Sequence, residues 1–225
     1  MRVLLSFSLV ALASVGSGPP LACADEGFTP LFDGKTLDGW TFIVKPDKDG
    51  KKADPKDTWS AADGVIRCTG KPNGCMVTKG EYSDYVLKVK WRFPADTKGG
   101  NSGVLLHVQD EKYWPTSIEA QLLTGRAGDL LLTNPPDAKL DIDKTRQNPK
   151  VERHFFRLET KGDVEKKLGE WNELEATCKG GDITLVVNGV KVNEGKNGNL
   201  TRGKIALQSE GAEIHFKDVA LKKLK

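Results

Sequence analysis

Tyr85-Val86-Leu87-Lys88-Val89-Lys90-Trp91-Arg92-Phe93 is the stretch that decides the fold. Tyr85, Leu87, Val89, Trp91 and Phe93 are apolar, while Lys88, Lys90 and Arg92 alternate with them on the other side. A repeat of two means a β-strand with one face buried, because the same residues on a helix would scatter around its circumference.

Working outward, the same pattern recurs. Strands are expected at Trp40 to Val44, Trp59 to Ala62, Val65 to Cys68, Val104 to Gln109 and Ser117 to Leu123. Towards the C-terminus they are expected at Trp171 to Lys179, Asp182 to Asn188, Lys204 to Ser209 and Glu213 to Leu221. Asp63-Gly64, Gly180-Gly181 and Asn188-Gly189 separate neighbouring runs, and such pairs accept the positive φ angles of two-residue hairpins. No long amphipathic helix competes. Many short strands with turns between them predict an all-β sandwich of two antiparallel sheets, a jelly roll. Two stretches resist: 46–56 is charged and bears prolines, and 125–150 has little periodicity and reads as a long loop.

The first two dozen residues read differently. Arg2, an apolar run from Val3 to Val15, a break at Gly16 to Pro20 and the small-x-small sequence Ala22-Cys23-Ala24 predict a signal peptide over 1–24. One domain then spans 25–225, exported to the periplasm or beyond. Cys23 offers an alternative, a lipidated anchor, although Leu21 sits one place late for a lipobox. No later run is apolar over 18 residues, so no membrane span is expected. The net charge of +3 says nothing about polyanionic partners, but the intermingled acids and bases and the lack of a basic aromatic RNA-binding signature point away from nucleic acid.

Cys68, Cys75 and Cys178 remain after cleavage. Cys68 and Cys75 flank a run of turn formers, so a cross-strand disulfide between them is expected in an oxidising compartment. Cys178 alternates with Leu174 and Ala176 and reads as a buried thiol. No spacing resembles a metal site. Asp141 and Asp143 are a weak calcium pattern, and the motifs call for no cofactor.

Several residues have the chemistry of a binding site. Gly99-Gly100-Asn101-Ser102-Gly103 leads into a strand carrying His107, and glycines allow close backbone approach to a ligand. Glu119 and Gln121 share a strand face, where a carboxylate and an amide can grip a polyol. Tyr113-Trp114-Pro115 offers an aromatic platform. His107 is the most readily used base near neutral pH, although a lone strand histidine is commonly structural. His154 and His215 look solvated. No Gly-x-Ser-x-Gly elbow is present.

Taken in order, the motifs resemble the 3-keto-disaccharide hydrolase domain family. They are Phe28-Thr29-Pro30-Leu31-Phe32-Asp33-Gly34 with Leu37-Asp38-Gly39-Trp40, Thr78-Lys79-Gly80-Glu81-Tyr82, Trp91-Arg92, Gly100-Asn101-Ser102-Gly103 and Glu119-Ala120-Gln121. Gly169-Glu170-Trp171-Asn172, Val187-Asn188-Gly189 and Gly203-Lys204-Ile205-Ala206-Leu207-Gln208 complete the series. Lys166-Lys167-Leu168 departs from the Lys-Pro pair common before the Gly-Glu-Trp-Asn motif.

The resemblance implies a concanavalin-like jelly roll whose concave sheet binds sugar, and cleavage of 3-keto-glycosides. A C3 ketone acidifies the C2 hydrogen, so a base can drive elimination of the C1 substituent, and water then adds to the enone. On this reading His107 or Glu119 is the base and Arg92 the ketone-polarising cation. Asn101, Ser102, Gln121, Gln208, Lys79 and Trp114 contact the substrate. The alternative is a non-catalytic carbohydrate-binding module on the same fold.

Overall fold

The computed structural model describes residues 27–51 and 53–225. The expected signal peptide, with Cys23, lies outside the described residues. In chain order the strands are β1 (Thr29–Pro30), β2 (Trp40–Val44), β3 (Trp59–Ala62), β4 (Val65–Cys68), β5 (Gly74–Thr78), β6 (Tyr82–Ser83), β7 (Tyr85–Arg92), β8 (Gly103–Val108) and β9 (Ser117–Gln121). They continue as β10 (Leu130–Thr133), β11 (Gln147–Asn148), β12 (Val151–Phe155), β13 (Asn172–Lys179), β14 (Asp182–Val187), β15 (Val190–Gly195), β16 (Arg202–Ser209) and β17 (Ile214–Lys223).

They form two antiparallel sheets. The first runs β15-β14-β13-β7-β17-β4-β3, with β1 also on β17. The second runs β11-β12-β10-β9-β8-β16-β5-β2, with β6 also on β16. The alternation that opened the reading is realised in β7, at the middle of the first sheet. Tyr85, Leu87, Val89 and Trp91 are fully or almost fully buried in the core, and Val86, Lys88, Lys90 and Arg92 face outward. Asn188 (φ 49°) and Gly189 (φ 82°) close the β14–β15 hairpin with two left-handed residues, and Gly180 and Gly181 do the same between β13 and β14.

The second sheet departs from simple alternation. Every residue of β5, β8, β9 and β10 is buried. Val104, Leu106, Ile118, Ala120, Leu130 and Leu132 join the main core, whereas Cys75, Val77, Leu105, Val108 and Ala206 form a second apolar cluster. The central strands of this sheet are buried on both faces, which explains why Leu130-Leu131-Leu132 carries no period. A strand buried on both sides reads as an unbroken apolar run, so part of the stretch expected to be loop is β10, a paired strand.

The expected Cys68–Cys75 bridge is corrected. β4 and β5 are not a hairpin: β4 lies in the first sheet and β5 in the second. Cys68 points into the main core and Cys75 into the second cluster, and both are free thiols, as is Cys178. Burial pushes the Cys68 thiol up to about 11 and the Cys75 and Cys178 thiols to about 12.

Candidate functional site

Directly opposed residues of an antiparallel pair point to one face. The register therefore defines rows across the second sheet. One row reads Thr41, Val77, Ala206, Leu105, Glu119, Leu131 and His154. The neighbouring row holds Cys75, Gln208, Gly103 and Gln121. Both rows face away from the main core.

Gly103 has no side chain, and Glu119 leans into the gap. A Cβ built on Gly103 would lie 2.6 Å from Glu119 Oε1 and 2.9 Å from its Cγ. Gln208 flanks the same gap from β16. Glu119 is 3% exposed and Gln208 1%. Glu119 Oε1, both amide atoms of Gln208 and Asn101 Oδ1 are buried without a hydrogen-bond partner. An unpaired buried polar atom costs on the order of 1–3 kcal/mol, and native proteins rarely tolerate several together unless a ligand or water completes them.

Charge is gathered at the same place. Asn101 bridges to Glu210, just past β16. Burial raises the Glu119 carboxyl to about 8, and the negative charge of Glu210 adds to the rise. Arg153 on β12 pulls it back, and the Gln208 amide faces the carboxyl without closing a hydrogen bond. Glu210 is also raised, first by burial, and Arg153 and Asn101 moderate it. Two carboxyls and one guanidinium thus share a field around the Gly103 gap. Such an arrangement can hold or take a proton near neutral pH and can place positive charge on an oxygen.

The remaining expected residues divide. Ser102 donates its hydroxyl to the Gln208 carbonyl at 2.8 Å, fastening the loop to β16. Gln121 Oε1 accepts from the backbone N–H groups of Leu122 and Leu123, so half of its amide is spent on a turn. Lys79 is exposed beyond the end of β5, and Trp114 is half-buried in the β8–β9 loop, stacked on Tyr113 at 6.4 Å. The polar cluster is built without either.

Two expected partners of Glu119 are elsewhere. Arg92 is on β7 in the first sheet, not on the sheet that carries Glu119. Its guanidinium lies 4.5 Å from the Trp171 ring and donates to the Gly169 carbonyl. The basic residue whose charge reaches the Glu119 and Glu210 carboxyls is Arg153. His107 sits at φ 53°, beside a register shift in the β8–β16 ladder, and this breaks the alternation that would have put it in phase with Leu105. Its ring turns into the main core, 5.4 Å from Tyr85, and its Nδ1 pairs with the Leu200 carbonyl at 2.6 Å. Burial lowers its affinity for a proton.

Asp143 is used as a cap for Thr145, and Asp141 accepts from Asn197. Among the described residues, no three His, Cys, Asp or Glu side chains stand together as a metal-ligand set.

Glu210, Arg153 and the His154–Asp129 pair were not picked out by the sequence. For Glu210 a signal exists: it follows Gln208 by two, the spacing of one strand face. Arg153 carries none, because its place depends on long-range pairing of β12 with β10.

Known proteins agree with this architecture. A curated 3-keto-disaccharide hydrolase from Bacteroides thetaiotaomicron is 25% identical over 213 residues, which span 86% of this chain and 67% of the relative. A solved candidate glycosyl hydrolase from Parabacteroides distasonis superposes with a TM-score of 0.60 at 25% identity, covering 89% of this chain and 95% of that one. The carbohydrate-binding module CBM66 of Bacillus subtilis shares the fold, with a TM-score of 0.58 at 11% identity over 82% of this chain and 96% of its own. The profile of the 3-keto-alpha-glucoside-1,2-lyase-like domain matches residues 27–222, nearly the whole described chain, and the protein belongs to that family.

Proposed function

We propose that the protein is an exported enzyme that cleaves 3-keto-glycosides by elimination across C1–C2, after which water adds to the enone. The observation that carries this reading is the set of buried, unpartnered polar atoms around Glu119, which a sugar's hydroxyls and ketone would complete. Glu119 is the base. A carboxylate that holds its proton up to about 8 takes a carbon-bound proton more readily than an ordinary one. Arg153 supplies the positive charge for the oxyanion that develops at C3. Gln208 and Asn101 hold neighbouring hydroxyls, each able to donate and accept.

The electrons balance within the sugar. The C2–H bond breaks and its pair forms C1=C2, while the C1–O bond breaks and its pair leaves with the departing oxygen. No ordinary glycosidase pair of nucleophile and acid is needed. Export rests on the leader-like residues 1–24 alone, and N-terminal sequencing of extracellular or periplasmic protein tests it, with Asp25 expected as the first residue.

The activity is tested by incubating the protein with a 3-keto-glucoside carrying a chromogenic aglycone, beside its unoxidised parent. Release from the keto compound alone is expected. Release from both would overturn the elimination route, and saturable binding without release would make the domain a carbohydrate-binding module.

A further inference from the structure

Glu119 can remove a proton, but the departing C1 oxygen must gain one. The row that contains Glu119 ends at His154: Leu131 of β10 stands opposite Glu119 on one side and opposite His154 on the other. All three side chains therefore share a face, with Glu119 and His154 two strand spacings apart, about 10 Å between Cα atoms.

His154 is built into place. Its Nε2 lies 2.7 Å from Asp129 Oδ2, and Asp129 is fully buried. The same carboxylate accepts from Arg126 Nε at 2.9 Å and, through its other oxygen, from the Arg157 backbone N–H at 2.7 Å. Phe156 packs edge-on against the imidazole at 5.0 Å, and the Arg126 guanidinium lies 4.3 Å from the centre of the Phe156 ring. A carboxylate on one ring nitrogen fixes the orientation and tautomer of the ring, leaving the other nitrogen for proton transfer. That other nitrogen, Nδ1, accepts from the Asn148 side-chain N–H at 3.0 Å while the ring is neutral, so a proton placed on Nδ1 breaks this contact and frees Nδ1–H for a substrate oxygen. Asn148 belongs to the two-residue strand β11, whose pairing with β12 is already irregular, so it is the contact a substrate oxygen can replace at least cost.

We infer that His154, held by Asp129, is the general acid that protonates the leaving oxygen while Glu119 takes the C2 proton. The assignment rests on the keto-glycoside reading above. As the C1–O bond breaks, its electron pair accepts the proton of His154 Nδ1–H, imidazolium becomes imidazole, and the C2 proton resides on Glu119. Solvent then restores both groups.

The experiment compares two 3-keto-glucosides, one with a 4-nitrophenolate leaving group that needs no acid and one with a methanol leaving group that does. Uptake of deuterium at C2 in heavy water is read in parallel. In His154→Gln, C2 exchange is expected to persist within about threefold of the unaltered protein. Release of 4-nitrophenol should fall less than about tenfold and release of methanol at least about 100-fold, within the range general acids supply. Persistent exchange shows a folded site, which separates a catalytic loss from a folding defect. Equal losses for the two leaving groups, loss of exchange together with cleavage, or no loss at all would overturn the assignment. An unaltered protein that exchanges and cleaves neither compound would instead sink the keto-glycoside reading itself.

Discussion

Gly103 and Glu119 fill one space from two neighbouring strands: the carboxylate of Glu119 occupies the volume that any side chain at Gly103 would take, 2.6 Å from where its Cβ would stand. Gly103 is not among the left-handed glycines, so alanine fits the backbone there and the effect of substitution is purely spatial. Gly103→Ala is expected to push Glu119 off Gln208, to cost about 1–3 kcal/mol of stability and to lower kcat/KM at least about tenfold on a good keto-glycoside. Chemical denaturation and steady-state kinetics on one preparation check both. Unchanged activity would mean that the gap has no part in positioning Glu119.

The neighbouring charges set the pH profile in opposite directions. With Glu119 as base, kcat/KM for a substrate that does not itself titrate should rise with pH to a midpoint of about 8. Glu210→Gln removes a repelling charge, so its midpoint should move to lower pH. Arg153→Gln removes an attracting one, so its midpoint should move to higher pH while the plateau falls. Profiles that move together, or not at all, would remove these two residues from the field around Glu119.

Glu119 also leaves a mark on stability. Its carboxyl titrates at about 8 in the folded chain against an ordinary 4.5. Between those values the unfolded chain releases the proton and the folded chain keeps it, so the folded state loses ground as pH rises from about 4.5 to about 8. Glu119→Gln has no such penalty. Its stability relative to the unaltered protein, followed as melting temperature, should climb over that range and level off above it, with a total change of about 5 kcal/mol as an upper bound. Calorimetry at pH 5, 7 and 9 reads the trend, and a constant difference would argue against a buried, proton-holding carboxyl.

Arg92 provides the contrasting case. It lies on the other sheet, against Trp171 and Gly169. Arg92→Ala is expected to keep kcat/KM within about twofold and to cost about 0.5–1 kcal/mol from the lost cation–π contact. A large fall in activity would place the working site on the first sheet.

Much of the fold was legible because β7, β13 and β14 obey a strict period of two and their turns carry residues suited to positive φ. The second sheet was harder to read, since covering both of its faces erases alternation in β10 and lets polar Glu119 and Gln208 sit among fully buried neighbours. Asn101 was singled out beside glycines, Glu119 on a strand face with Gln121 and Gln208 through the family resemblance, and the structure sets the three around one gap. His107 misled because a single left-handed residue reverses which face follows, an event that strand periodicity does not register. Arg92 misled for another reason: its own strand was read correctly, but its sheet is decided by partners far away in sequence. Arg153 and His154 reach the site through that same long-range pairing.

The separation of Cys68 and Cys75 onto different sheets has a consequence for when and where the chain can mature. With Cys68, Cys75 and Cys178 each enclosed singly as reduced sulfur, no covalent crosslink among the described residues takes part in reaching the native state. Reaching the native state therefore calls for no oxidant, and the three thiols must be enclosed before an oxidising compartment pairs them. Reductant in a purification buffer would leave the domain's melting curve where it was.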